Sequence, residues 1–211
     1  MKYEVQLKAL IDQATYEQLS HTLSQQFSKQ LSGTLQQTRY RSAGMGTGDV
    51  RLRKWYREDG SIDGAEMILK EDTVDGVAAN QRTERKAFLS IEQLALFEHA
   101  LSILKVYHDP PWTKGKTDFF AEIDHSNYRL SLQKLWGQYT EFGYVLEGSI
   151  KIEEPDDGKH LRNLQTLFEW IGVKPTLPEI FMKRVSQFIA ENTTKESYPH
   201  QNTTYTGQPT P

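Results

Sequence analysis

Cysteine is absent from all 211 residues, which removes disulfides, thiolate zinc sites and iron–sulfur clusters from consideration and accords with a reducing compartment. No apolar run approaches the roughly 18 residues that a membrane helix needs, and no secretory apolar segment opens the chain. The expected setting is the cytoplasm, with no membrane partner. An excess of one charge is also missing: 25 basic and 28 acidic residues give a net charge of −3. The molecule as a whole therefore exerts no pull on nucleic acid, and any anion site must be a local concentration of basic side chains. The six histidines show no metal-ligand spacing and are expected at the surface.

The residues that are present alternate. "YEVQLKAL" (3–10) places Glu4, Gln6 and Lys8 on one side of a strand and Val5, Leu7 and Ala9 on the other. Asp12 caps a helix over 12–27 with an apolar stripe of Tyr16, Leu19, Leu23 and Phe27. Strands follow at "TLQQTRYRSA", "GDVRLRKWYRE", "AEMILKE" and "QRTERKAFL". Next comes a helix over 90–105 opened by a capping-box pattern at Ser90 and Gln93. A second strand series is "KVYHD", "TKGKTDFFAEID", "YRLSLQKL" and "FGYVLEGSIKIE". A helix over 157–171, begun by Asp156 and Asp157, ends at Gly172, and a shorter one runs from Pro178 to Glu191. Two strand-rich halves of similar size suggest a pseudo-duplicated antiparallel sheet. Residues 1–191 are read as one domain and the Thr, Gln, Pro and Asn-rich 192–211 as a disordered tail. The sequons at Asn192 and Asn202 are taken as chance. "GMGTG" (44–48) lacks the following Gly-Lys-Ser/Thr of a phosphate loop and is expected to be a flexible hairpin loop.

Strand after strand pairs an apolar face with one of Arg, Lys and Glu. Arg51 and Arg53 share a side, as do Glu66 and Lys70, Arg82, Glu84 and Lys86, Lys114 and Lys116, and Arg129, Ser131 and Gln133. In the last strand Val145, Glu147, Ser149, Lys151 and Glu153 align. A solvated outer face would give the same pattern on any single strand. Basic pairs at spacing two on several strands repel unless an anion lies among them, and guanidinium forks suit phosphate oxygens. A closed barrel with a charged lumen and helices on its apolar outside meets both requirements. Carboxylates among the cations would suit oxygen-liganded Mg²⁺ or Mn²⁺. Trp55, Trp112, Trp136 and Trp170 are expected to pack under helices.

The strands resemble, in order, the motifs of the CYTH or triphosphate tunnel metalloenzyme family. "EVQLK" is similar to its Glu-x-Glu-x-Lys opening, "VRLRK" to Leu-Arg-x-Arg, "MILK" to Thr-x-Lys and "RTERK" to Arg-x-Glu. "KGK" is similar to Lys-x-Arg and "FGYVLEG" to the closing Gly-x-Phe-x-Glu-x-Glu. The resemblance covers residues 3–172. It implies an α+β fold, an eight-stranded antiparallel β-barrel forming a triphosphate tunnel with helices packed outside. It further implies that Lys8, Arg51, Arg53, Lys70, Arg82, Lys114, Lys116 and Arg129 hold phosphates and that Glu4 and Glu147 bind Mg²⁺ or Mn²⁺. Lys8 and Glu84 would serve catalysis, Glu84 by organising basic neighbours or assisting the metal. Three positions depart: Gln6, Gln133 and Ser149 stand where the family carries carboxylates.

The expected activity is metal-dependent hydrolysis of a small-molecule triphosphate, inorganic or organic, by a monomer or homodimer. Adenylate cyclase chemistry of the class IV type is the second possibility, although the sequence locates no pocket for a base. Non-catalytic binding of triphosphate or polyphosphate is the third, favoured by Gln6, Gln133 and Ser149.

Overall fold

Period-two alternation places each strand's apolar residues on one side, and that side must be covered by something other than water. In the computed structural model, which describes residues 2–41, 48–57, 59–72 and 81–193, four helices provide the cover. The elements run β1 (Lys2–Ile11), α1 (Gln13–Gln26), β2 (Ser28–Arg41), β3 (Asp49–Tyr56), β4 (Ile62–Asp72), β5 (Gln81–Leu89), α2 (Ile91–Ile103) and β6 (Tyr107–His108). They continue with β7 (Trp112–Ile123), β8 (Ser126–Trp136), β9 (Glu141–Ile152), α3 (Lys159–Trp170) and α4 (Pro178–Asn192).

Eight strands close into a ring in the order β3-β4-β5-β1-β9-β8-β7-β2, because β2 pairs back onto β3. Its pairings are antiparallel. Two three-strand meanders, β3-β4-β5 and β7-β8-β9, are thus bridged by β1 on one side and β2 on the other. This is the two-halved sheet expected from the sequence. The predicted strand at "KVYHD" is reduced to β6, two residues added outside the ring against β2.

The outward side is apolar. Val5, Leu7 and Ala9 of β1, Phe119 of β7, Leu130 and Leu132 of β8 and Leu146 of β9 pack beneath α1 and α3 through Leu19, Leu23, Leu164 and Phe168. Gly148 lets α3 settle closely on β9: a methyl group there would lie 2.7 Å from Phe168 and 3.0 Å from Leu164. Helix α2 covers Leu52 and Ala65 with Leu94. Its start has the predicted capping box, Ser90 Oγ accepting from Gln93 N and the Gln93 side chain from Ser90 N. Asp12 accepts from Thr15 N at the head of α1. Asp156 accepts from the His160 and Leu161 amides at the head of α3.

Helix α4 is longer than α3, not shorter as the sequence suggested. It ends on buried Asn192, whose amide accepts from Tyr139 N and donates to Phe188 O. Residues 42–47, most of "GMGTG", and residues 194–211, most of the expected tail, lie outside the described residues. His160, half-buried in the first turn of α3, pairs through Nδ1 with the buried Tyr128 hydroxyl at 2.7 Å.

Candidate functional site

Strand register arranges the inward side chains in rows, because directly opposed residues on antiparallel strands share a face. Phe120, Arg129, Ser149 and Gln6 follow one another across β7, β8, β9 and β1. Asp118, Ser131, Glu147 and Lys8 form the next row, and Lys116, Gln133 and Val145 the one after. β3, β4 and β5 add Arg51 and Arg53, Glu66 and Lys70, and Glu84 and Lys86 from the other wall. Together they enclose a cavity of about 480 Å³. Its described lining carries nine cationic and five carboxylate side chains, an excess of four positive charges.

Seven of the eight expected phosphate ligands line this cavity: Lys8, Arg51, Arg53, Lys70, Lys114, Lys116 and Arg129. So do Glu4, Glu84 and Glu147. Arg82 lies on β5 opposite Glu4, but its side chain is outside the described residues. Gln6, Gln133 and Ser149 also face the cavity.

The carboxylates hold the cations apart. Lys70 lies against Glu4 and, at 3.1 Å, against Glu84, whose other oxygen is 2.5 Å from Lys151. Burial favours the neutral form of Glu84, yet the charges and hydrogen bonds of Lys70 and Lys151 prevail and hold it down to about 2. A carboxylate so acidic is a poor proton acceptor near neutrality. Glu84 is suited to organising lysines, the first of the two roles expected for it. Glu147 is likewise held well below the usual carboxylate range, against its burial, by Lys8, Arg129 and Lys114. Arg51 is gripped by Asp49 through two bonds of 2.5 and 2.9 Å. Arg53 donates to Gln37 at 2.8 Å and to Glu66 at 3.0 Å.

Not every cation is balanced. Lys114 makes no ion pair among the described residues; its ammonium rests 4.9 Å from the Trp112 ring centroid. Burial lowers it well below the ordinary lysine value, and the charges of Arg53, Lys8 and Arg51 act in the same direction against Glu147. Lys8, 3.6 Å from Glu147, is lowered chiefly by burial as well. Lys8, Arg51, Arg53 and Lys114 act on one another at close range; Asp49 holds Arg51, Glu66 holds Arg53 and Glu147 faces Lys8, which leaves Lys114 without an ion pair among the described residues. Such a cluster favours a polyanion that lets the lysines keep their protons.

Two carboxylates meet at one point. Glu147 Oε1 and Glu4 Oε1 approach the same Arg129 nitrogen, Nη2, at 3.1 and 3.6 Å, and Ser149 Oγ accepts from it at 2.9 Å. Among the described residues no three His, Asp or Glu side chains form a metal cage. Two carboxylates completed by phosphate oxygens and water are nevertheless a common way to hold Mg²⁺. Here the two carboxylates converge on the Arg129 guanidinium, which a divalent cation held between them would displace.

Six contributors escape the sequence reading. Asp118, two residues beyond Lys116 and so on its face, is 4% exposed, binds Lys116 at 2.6 Å through Oδ2, and leaves Oδ1 without a partner. Extending the "KGK" alternation by one step would have found it. Lys86 and Lys151 were placed on the charged faces without a role; they pair with Glu66 and Glu84. Trp55 and Trp112 line the cavity, and Trp112 also packs on α4 as expected of the tryptophans. Phe181, from α4, lines it too, and strand periodicity could not have placed a helix residue there.

No family's sequence pattern matches the chain, and no curated protein matches it in sequence. Solved structures do match in fold. A protein of Pyrococcus horikoshii aligns with a TM-score of 0.62 at 17% identity, over 82% of this chain and 92% of the other. A chain of the Schizosaccharomyces pombe Mediator head module aligns with a TM-score of 0.57 at 11% identity, over 80% and 95%. A Hippeastrum protein, named as a candidate adenylyl cyclase with a dominant triphosphatase activity, aligns with a TM-score of 0.55 at 13% identity, over 87% and 96%. At these identities the fold is what is shared.

Proposed function

We propose that the ring is a triphosphate tunnel of the CYTH kind, and that the chain binds a triphosphate in it and hydrolyses the terminal phosphoanhydride. One observation carries this reading: four convergent cations, Lys8, Arg51, Arg53 and Lys114, in a cavity within the strand ring whose lining has four surplus positive charges. Held in place before the ligand arrives, they would stabilise charge that develops on the phosphoryl oxygens without reorganising at the moment of reaction. Lys70, Lys116 and Arg129 extend the clamp along the phosphate chain. Glu84 and Glu147 keep the neighbouring lysines protonated and oriented. Asp118 holds Lys116 through Oδ2 and so fixes one arm of the clamp. Glu4 and Glu147 are the residues that would hold Mg²⁺ or Mn²⁺, which supplies further neutralisation of the phosphate oxygens.

A second reading, a tunnel that binds without turnover, is favoured by the neutral Gln6, Gln133 and Ser149 in the lining. Phosphate release from tripolyphosphate, with and without Mg²⁺ or Mn²⁺, separates the two in the wild type, Glu4→Ala and Gln6→Glu. Metal-dependent release that Glu4→Ala abolishes supports the hydrolase. Release only in Gln6→Glu supports the binder. Silence throughout, with no heat of binding, overturns the tunnel.

A further inference from the structure

Helix α2 turns hydrocarbon to water where α1 turns polar groups. Helix α1 buries Leu19 and Leu23 and exposes Glu17, Gln18, His21 and Gln25, the division expected of a helix lying on a sheet. Helix α2 seats Leu94 on the strands with Leu101 partly covered beside it. Yet Leu96, Ile103 and Leu104 are 68%, 65% and 71% exposed, and Phe97 is 40% exposed. Spacings of three, four and seven residues put Leu96, Phe97, Ala100, Ile103 and Leu104 on one side of the helix, with the small Ala100 at its middle.

A membrane surface is a poor match for this side. Between Ile91 and Ile103 there is no lysine or arginine, and a helix that lies on a bilayer relies on such cations beside its apolar stripe. The stripe does complement itself. Turned antiparallel about Ala100, a second copy sets Leu96 and Phe97 against Ile103 and Leu104, and the two alanines let the backbones approach. Glu92, in the first turn, then comes beside Lys105, just past the last, whereas a parallel pairing would set each charge against its like. At roughly 100 Å² apiece the four large side chains supply about 800 Å² to a pair of copies, and Ala100, Gln93, Glu92 and Lys105 around them bring the contact to the roughly 1,000 Å² that a specific interface needs.

We propose that the outward face of α2 is a two-fold interface with a second copy of this chain, the two helices antiparallel and crossing at Ala100. The proposal does not depend on what the cavity binds. Because the chain has no cysteine, single thiols can report the arrangement. Under mild oxidation Ala100→Cys should give a covalent dimer, since the two positions face each other within disulfide reach. Glu92→Cys should not, because antiparallel helices hold the two copies of that position roughly 24 Å apart along the axis. Light scattering of the unaltered chain should give a mass near twice 24.4 kDa, falling on dilution. Leu96→Asp should weaken self-association about thirtyfold or more, the scale of one interface hot spot. Circular dichroism verifies that this variant folds, and its exposed position spares the core. A monomeric wild type overturns the proposal, whether the face is left bare or is covered by another part of the chain. So does cross-linking through Glu92→Cys in place of Ala100→Cys, or a dimer that Leu96→Asp leaves intact.

Discussion

Lys70 is the side chain whose removal tests the ion network most directly. It is 6% exposed, and its ammonium lies between Glu4 and Glu84. Lys70→Met preserves much of the side chain's bulk and leaves two carboxylates to find other partners. Glu84 retains Lys151 at 2.5 Å, while Glu4 retains only Arg129 at 3.6 Å among its described ion pairs. Breaking a buried pair by removing one member costs about 3–5 kcal/mol. Against this, the cavity loses one unit of its positive excess, and one unit-charge repulsion at about 8 Å with an effective dielectric of about 20 amounts to about 2 kcal/mol. The net loss expected is about 1–3 kcal/mol, or roughly 2–12 °C in Tm for a domain of this size.

The effect has a sign in pH. In the wild type Glu84 is held down to about 2, so its contribution is fully present above the ordinary carboxylate value of 4.5 and is lost as pH falls towards 2. Lys70→Met moves the folded value back up and shrinks that contribution. The gap between wild type and variant, followed by urea unfolding from pH 7 to pH 3, should therefore be widest above pH 5 and narrow as acid is added. Equal stability at pH 7, or a gap that widens in acid, would refute the account of the network.

Two further predictions concern single positions. Lys114→Met removes a buried cation that has no ion pair among the described residues; the free protein should gain roughly 1–2 kcal/mol while tripolyphosphate affinity drops at least tenfold, read by thermal unfolding and calorimetry. Loss of both stability and binding would mean that the ammonium is held by something other than its ring contact. Gly148→Ala places a methyl group 2.7 Å from Phe168, and overpacking of that kind costs about 1–3 kcal/mol. A melting temperature within a degree of the wild type would show that α3 does not rest on β9 as described.

Much of the fold was legible because alternation is a local signal: the face of Glu4, Gln6 and Lys8 could be read from eight residues. Antiparallel closure was legible less directly, through the question of where so many like charges could go. Pairing partners were not legible, because β1 joins β5 and β9 by contacts that leave no local trace. The same holds for the site. Lys8, Arg51, Arg53 and Lys114 were nameable from spacing and resemblance, whereas the bracing of Lys151 by Glu84, or of Arg129 by both Glu4 and Glu147, depends on register across strands. Phe181 belongs to a helix whose own stripe gives no hint that one ring turns into the cavity. Asp118, one step beyond Lys114 and Lys116 on the same face, was legible by the same alternation.

The pairing of Tyr3 with Ile152 also bears on how the protein is made. During synthesis β1 leaves the ribosome first and waits for β5 and then for almost the whole of β9, with both of its edges open to other strands. Pairings that span so much chain form slowly, and the intermediate that awaits them is the one at risk of sticking to its neighbours. The wall that bears Glu4 and Lys8 meets the wall that bears Glu147 only at that last joining. A chain cut short before β9 still carries Lys8, Arg51, Arg53 and Lys114, but it lacks the strand that joins β1 to β8 and completes the ring around them.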